Sequence, residues 1–88
     1  MASTMKLKVV TPGESVYEGM VEGISLKTVD GYEGFLPGHS RLVTLLDKGI
    51  LSIKEPGGNK KEAEIEGGFI DVKDEVLVFT DQAQWIEK

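Results

Sequence analysis

His39 is the only histidine of this 88-residue chain, and it stands beside Ser40 in the run Pro37-Gly38-His39-Ser40-Arg41. Nucleophilic catalysis through Ser40 requires a base to take the hydroxyl proton, and His39 is the one imidazole available. Adjacent loop residues rarely point at each other, however, and Ser40 lacks the G-x-S-x-G elbow that presents a serine at a strand-to-helix turn. The simpler role for His39 is a hydrogen-bonding ring in a loop whose shape Pro37 and Gly38 impose, the first by fixing φ and the second by admitting conformations closed to other residues. With Cys 0 there is no thiolate nucleophile, disulfide or cysteine metal site, and a lone histidine builds no multi-histidine metal cluster. Asp71, Asp74 and Asp81 lack the Asp/Asn/Gly rhythm of a calcium loop and read as solvated turn residues. Gly67-Gly68 precedes a strand-like run, not a helix N-terminus, so it lacks the amide fan of a phosphate cradle; a bulge or a close strand crossing is expected there. The expectation is a non-catalytic protein with no cofactor and no metal.

The segment Tyr32-Glu33-Gly34-Phe35-Leu36-Pro37-Gly38-His39 differs in kind, because aromatic and apolar side chains gather where a surface turn is normally polar. It either folds inward or docks against a partner. Arg41 follows as a cation able to meet an acidic partner. Trp85, near the end of the chain, is a large aromatic among polar residues, placed either to fold back as a cap or to meet another chain. Candidate partner-binding residues are therefore Tyr32, Glu33, Gly34, Phe35, Leu36, Pro37, Gly38, His39, Arg41 and Trp85.

The chain length sets one domain. A net charge of -5 argues against nucleic acid, whose binders carry a basic stripe that releases counterions. No apolar stretch approaches the roughly 20 residues that span a bilayer. Residues 1–4 precede a second methionine, Met5, and read as a leader outside the domain, which runs over 5–84, with 85–88 as a tail.

The elements that must position these residues are strands. Leu7 and Val9 alternate with Lys6 and Lys8 up to the stop at Thr11-Pro12-Gly13. Val16-Tyr17 reads as a short strand, and Ile24 and Leu26 alternate with Ser25 and Lys27. Leu42 to Leu46, Ile50 to Ile53, Ala63 to Ile65, Phe69 to Val72 and Val76 to Phe79 supply further strands. Glu55-Pro56-Gly57-Gly58-Asn59 is the tip of a hairpin. Eight or more short strands with Gly and Pro punctuation predict a β-sandwich or barrel without parallel crossovers. Asp81 with Gln84 three positions on reads as the N-cap of a helix that barely continues.

Four ordered motifs resemble one family: Met5 to Pro12, Gly34 to His39 with Leu42-Val43-Thr44, Gly49 to Ile53, and Gly67 to Val72. They are similar to the N-terminal domain of the epsilon subunit of F-type ATP synthase, called delta in mitochondria. The resemblance covers residues 5 to about 84 and implies an all-β fold, an antiparallel β-sandwich of about ten strands. It also implies a non-catalytic rotor part at the foot of the central stalk of a membrane-bound complex, on the cytoplasmic side of a bacterial inner membrane or its organellar equivalent. Its implied partners are the gamma subunit and the ring of c subunits, with the segment from Gly34 to His39 facing one or the other. Tyr32 stands where the family usually has an acidic residue, with Glu33 displaced by one, and Ser40-Arg41 replaces the family's Ala-Pro. The family's C-terminal two-helix domain is absent from this sequence, so no inhibitory hairpin or bound nucleotide is expected. The rival reading is a β-sandwich module for a peptide or carbohydrate.

Overall fold

A computed structural model describes residues 3–86. Apolar residues at every second position give each sheet one face to bury, and two such faces close on each other. The strands in chain order are β1 (Met5–Val10), β2 (Ser15–Val21), β3 (Gly23–Thr28), β4 (Gly31–Phe35) and β5 (Leu42–Leu45), then β6 (Gly49–Lys54), β7 (Lys60–Ile65), β8 (Phe69–Val72), β9 (Glu75–Phe79) and β10 (Ala83–Trp85). They form two five-stranded sheets, sheet A in the order β2-β1-β9-β8-β5 and sheet B in the order β10-β7-β6-β3-β4. The expected ten-stranded β-sandwich is the observed fold.

Leu7, Val9, Ile70, Val72, Val76 and Val78 from sheet A meet Leu26, Phe35, Leu51, Ile53 and Ile65 from sheet B, all of them essentially inaccessible. Burying each such side chain stabilises the fold by about 1.5–3 kcal/mol, which offsets the ordering of a short chain. The two threonine hydroxyls buried among the described residues are satisfied locally. Thr28 Oγ1 donates to the Gly31 carbonyl and accepts from the Asp30 amide, closing the β3–β4 turn. Thr80 Oγ1 accepts from the Glu66 amide and donates to the Gln82 carbonyl.

Three expectations are corrected. The exclusion of parallel pairing fails: β1 lies parallel to β9, with Lys6 beside Glu75 and Val9 beside Val78. Alternation reports which face a residue takes but not strand direction, and the seven strands between β1 and β9 provide a connection long enough for a parallel pair. The helix start at Asp81–Gln84 fails as well, because Ala83, Gln84 and Trp85 pair antiparallel with Ile65, Glu64 and Ala63. Neighbouring β7 offers an unpaired edge whose ladder outweighs a single side-chain cap. Finally, the short strand at Val16-Tyr17 extends over Ser15–Val21, since β1 supplies a partner along its length. The leader reading at residues 1–4 and the tail reading at 85–88 lie partly outside the described residues.

Of the bulge or close strand crossing expected at Gly67-Gly68, Gly68 makes the close crossing. A Cβ on Gly68 would sit 1.9 Å from the Phe79 carbonyl oxygen, and its φ is +103°.

Candidate docking surface

The outward residues of the two sheets differ in chemistry. On sheet B, Ser25 registers with Ser52 and Ser52 with Glu62, while Glu64 registers with Gln84. With Lys27 and Lys54 this makes a mostly polar face, the usual solvated side of an antiparallel sheet.

Sheet A presents three rows across its strands. One row is apolar: Leu45 opposes Phe69, Phe69 opposes Phe79, and Phe79 lies beside Val10. The two phenylalanine rings stack at 5.5 Å. The next row runs from Val43 through Asp71 and Leu77 to Lys8 and Glu18. The third is charged, with Glu75 next to Lys6 and Lys73 bonded through its amide to the Glu75 carbonyl. Val43 and Leu45 are 66% and 63% exposed, a large apolar area for a surface strand. Lys6 lies 3.1 Å from Glu18 and 3.9 Å from Glu75; the hydrogen bond to Glu18 and the two negative charges hold its ammonium above the usual lysine range.

The segment from Gly31 to Arg41, expected to be a loop, divides into two parts. Its first half is the edge strand β4, so its side chains alternate: Ile24 registers with Phe35, Leu26 with Glu33 and Lys27 with Tyr32. Phe35 is 1% exposed, which corrects its place among the docking residues, because its ring fills the core. Glu33 shares that core-facing side of β4 opposite Leu26. An inward charge on an edge strand discourages another strand from adding to it. Tyr32 lies on the polar face of sheet B, and its hydroxyl accepts a hydrogen bond from the Ile50 amide at 3.2 Å.

The second half, Leu36 to Arg41, is the true loop. The His39 amide bonds the Leu36 carbonyl at 3.1 Å, Gly38 takes φ +85°, and the His39 ring packs edge-on against Phe35 at 4.9 Å. His39 Nδ1 lies 2.8 Å from the Ser40 carbonyl oxygen, so the pair is linked through backbone and not through the Ser40 hydroxyl. Leu36, 66% exposed, rests against Gly23, where an added Cβ would lie 2.9 Å from Leu36 Cδ2. Arg41 is exposed and lines a groove with Lys8, Asp71 and Lys73 on the outer face of sheet A.

Trp85 lies at the far side of the sandwich. It registers with the buried Ala63, its ring meets Tyr17 edge-on at 6.0 Å, and the Lys61 ammonium stands 5.8 Å from its centroid. It folds back to close the gap between β2 and β10 while remaining 38% exposed, so part of it is still open to another chain.

Among the described residues no group of three or more His, Cys, Asp or Glu could hold a metal ion. The outward residues that reading by sequence missed are Val10, Val43, Leu45, Phe69, Leu77 and Phe79. Part of their signal was present in Leu42, Val43 and Leu45 and in Val76 to Phe79, which are apolar at both parities and so give the outer face more than the usual solvated residues of an antiparallel sheet.

The chain is a two-sheet β-sandwich with one mostly polar outer face, one outer face that carries an apolar row beside charged ones, and an ordered loop at its end. The matched family is the β-sandwich domain of the ATP synthase delta/epsilon chain, over residues 4–86, and the chain belongs to it. It is 42% identical to the ATP synthase epsilon chain of Alkaliphilus metalliredigens, aligned over 100% of this chain and 66% of that one. The epsilon chain of Alkalihalophilus pseudofirmus is 36% identical over 93% of this chain and 62% of its own length. The chain therefore spans less than two thirds of these relatives. A chain in the Euglena gracilis mitochondrial ATP synthase, a structure of OSCP, F1 and the c-ring, superimposes with a TM-score of 0.89 at 32% identity, covering 93% of this chain and 53% of that one. A chain from the central stalk and c-ring of the Tetrahymena thermophila enzyme shares the fold, with a TM-score of 0.76 at 17% identity over 92% of this chain and 66% of its own.

Proposed function

We propose that this chain is a non-catalytic rotor component of an F-type ATP synthase that fastens the gamma subunit to the c ring and passes ion-driven rotation to the catalytic head. The observation that carries the reading is the apolar row Leu45–Phe69–Phe79–Val10 on the outer face of sheet A. Such a row costs solubility unless another protein covers it. In this reading the gamma subunit takes the outer face of sheet A, and the loop from Leu36 to Arg41, with Tyr32 nearby on β4, meets the c ring or the adjoining gamma surface. A standard footprint is about 800 Å² per partner, a large part of the 5311 Å² accessible surface, so two partners would cover much of the molecule. The stiffness of a two-sheet core suits a part that holds register under torque. The same reading puts the complex at the cytoplasmic face of a bacterial inner membrane or its organellar equivalent.

The test is co-purification of the chain with purified gamma subunit and, separately, with gamma and c ring together. Stable association with gamma, lost on Phe69→Asp but kept on Glu64→Gln, supports the reading. Failure to bind either partner, with binding to a peptide or glycan array instead, replaces it with the ligand-module reading.

A further inference from the structure

The outer face of sheet A is also charged, and its ion pairs leave a remainder. It carries Lys6, Lys8 and Lys73, with Arg41 at the start of β5, against Glu18, Asp71 and Glu75. Lys6 takes both Glu18 and Glu75, at 3.1 and 3.9 Å, and Lys73 takes Asp71 at 3.5 Å. All three carboxylates are thereby met by two lysines. Among the described residues Lys8 and Arg41 enter no ion pair, and both are exposed. Lys8 stands between Leu77 and Glu18 in register, but Glu18 turns to Lys6. Asp74, in the turn between β8 and β9, lines the same groove as Arg41 without an ion pair to it. On a chain of net charge -5, this face balances its cations against its carboxylates, and two of the cations, Lys8 and Arg41, are left without an ion pair on the sheet that carries the apolar row.

We infer that Lys8 and Arg41 select the partner of this face: a gamma-subunit surface with an apolar strip to cover Leu45, Phe69 and Phe79, and two carboxylates beside it, one for each cation. The inference rests on the docking reading above and adds its chemistry. Lys8 on β1 and Arg41 before β5 are separated by three strand spacings, about 14 Å across the sheet, with a further shift of two residues along it. The two carboxylates therefore belong to separate side chains and not to one chelating pair. Unpaired cations at the rim of an apolar footprint steer the approach of an acidic partner and set its register, while the covered apolar row supplies the area. Arg41 suits the task because its planar guanidinium grips a carboxylate with two bonds.

The experiment measures the affinity of the intact chain for purified gamma subunit over a series of salt concentrations. The variants are Lys8→Glu, Arg41→Glu, the double variant, the conservative pair Lys8→Arg and Arg41→Lys, and Lys27→Glu on the opposite face as control. Each reversal is expected to weaken binding about tenfold at low salt, and the double variant to flatten the salt dependence. The conservative pair and the control should bind as the native chain does. Trp85 emission, unchanged across the set, shows that the fold is kept. Reversals that leave both affinity and salt slope at the level of the Lys27→Glu control overturn the inference. A native chain that does not bind gamma at all overturns the docking reading beneath it, and the two failures are thus distinguishable.

Discussion

The Tyr17 hydroxyl donates a 2.5 Å hydrogen bond to the Glu55 carboxylate, which ties edge strand β2 of sheet A to the β6–β7 hairpin tip of sheet B. Asn59 holds the other oxygen of Glu55 from within the same tip, and the Tyr17 ring rests edge-on against Trp85. The open side of the sandwich is closed by this group and not by a ladder. Tyr17→Phe keeps the ring and removes the bond, and is expected to cost about 0.5–1.5 kcal/mol in urea denaturation.

The same bond gives stability a dependence on pH at both ends. Burial, then the hydrogen bond to Glu55 and its charge, push the Tyr17 phenol up to about 12. A phenol whose folded pKa is raised contributes stability that is whole below the unfolded value near 10 and is lost as pH rises toward 12. Glu55 is held below the ordinary carboxylate range, first by the Tyr17 bond and then by Asn59. Its contribution is present above that ordinary value and fades as pH falls through the lowered one. Phenolate absorbance should therefore show Tyr17 ionising near 12. In Glu55→Gln the value should fall only part of the way back, because burial is the larger cause. A full return to the free-phenol value would contradict this.

Gly68 should be the least replaceable glycine. The atom that an alanine methyl would strike is the Phe79 carbonyl oxygen, part of a strand that cannot swing aside, and φ is unfavourable as well. Gly68→Ala is expected to lose more than about 3 kcal/mol or fail to fold. Gly13, with open space around it, should accept alanine within about 0.5 kcal/mol. Thermal denaturation of both variants makes the comparison.

How far the sequence could be read follows from what each signal carries. Alternation set Leu7 and Val9, and Ile24 and Leu26, on one side of their strands, and that side is the buried one; the Pro-Gly-Gly tip fell where a hairpin turns. The close crossing at Gly67-Gly68 was legible from two adjacent glycines before a strand. Strand direction was not legible, so the parallel β1–β9 pair was missed, and β10 was missed because its three residues gain their structure from β7 and not from themselves. In the segment from Tyr32 to Arg41, composition announced an apolar surface but could not say that β4 turns Phe35 inward and leaves Leu36 outside. Phe69 and Phe79 were read as strand residues without a face, because an apolar residue on the outer face differs from one on the inner face only in parity.

Phe35 and Leu36 should thus separate folding from docking. Phe35→Ala removes a ring from the closed core and is expected to cost about 3–5 kcal/mol. Leu36→Ala removes an exposed side chain and should change stability by no more than about 0.5 kcal/mol. If the loop is a contact, Leu36→Ala weakens partner binding while its melting curve stays at the native position. Equal losses of stability in both would place Leu36 in the core instead.

Gly23 offers a finer probe of that loop, because it touches the loop without belonging to it. Its missing Cβ makes the seat for Leu36 Cδ2, at 2.9 Å, and the obstacle is the far end of a flexible side chain rather than backbone. In Gly23→Ala, Leu36 can change rotamer at a cost of about 1 kcal/mol, so the sandwich should survive with a small shift in melting temperature. The Leu36 side chain would then leave the position in which the Leu36–His39 turn, closed by the His39 amide on the Leu36 carbonyl, presents it. Partner affinity should then fall by more than stability does. Gly23→Ala combined with Leu36→Ala removes the clash and should bind no worse than Leu36→Ala alone. That non-additivity, read from a double-mutant cycle, is the signature of one residue acting through the other; additive losses would mean that Gly23 matters to binding by some route other than Leu36.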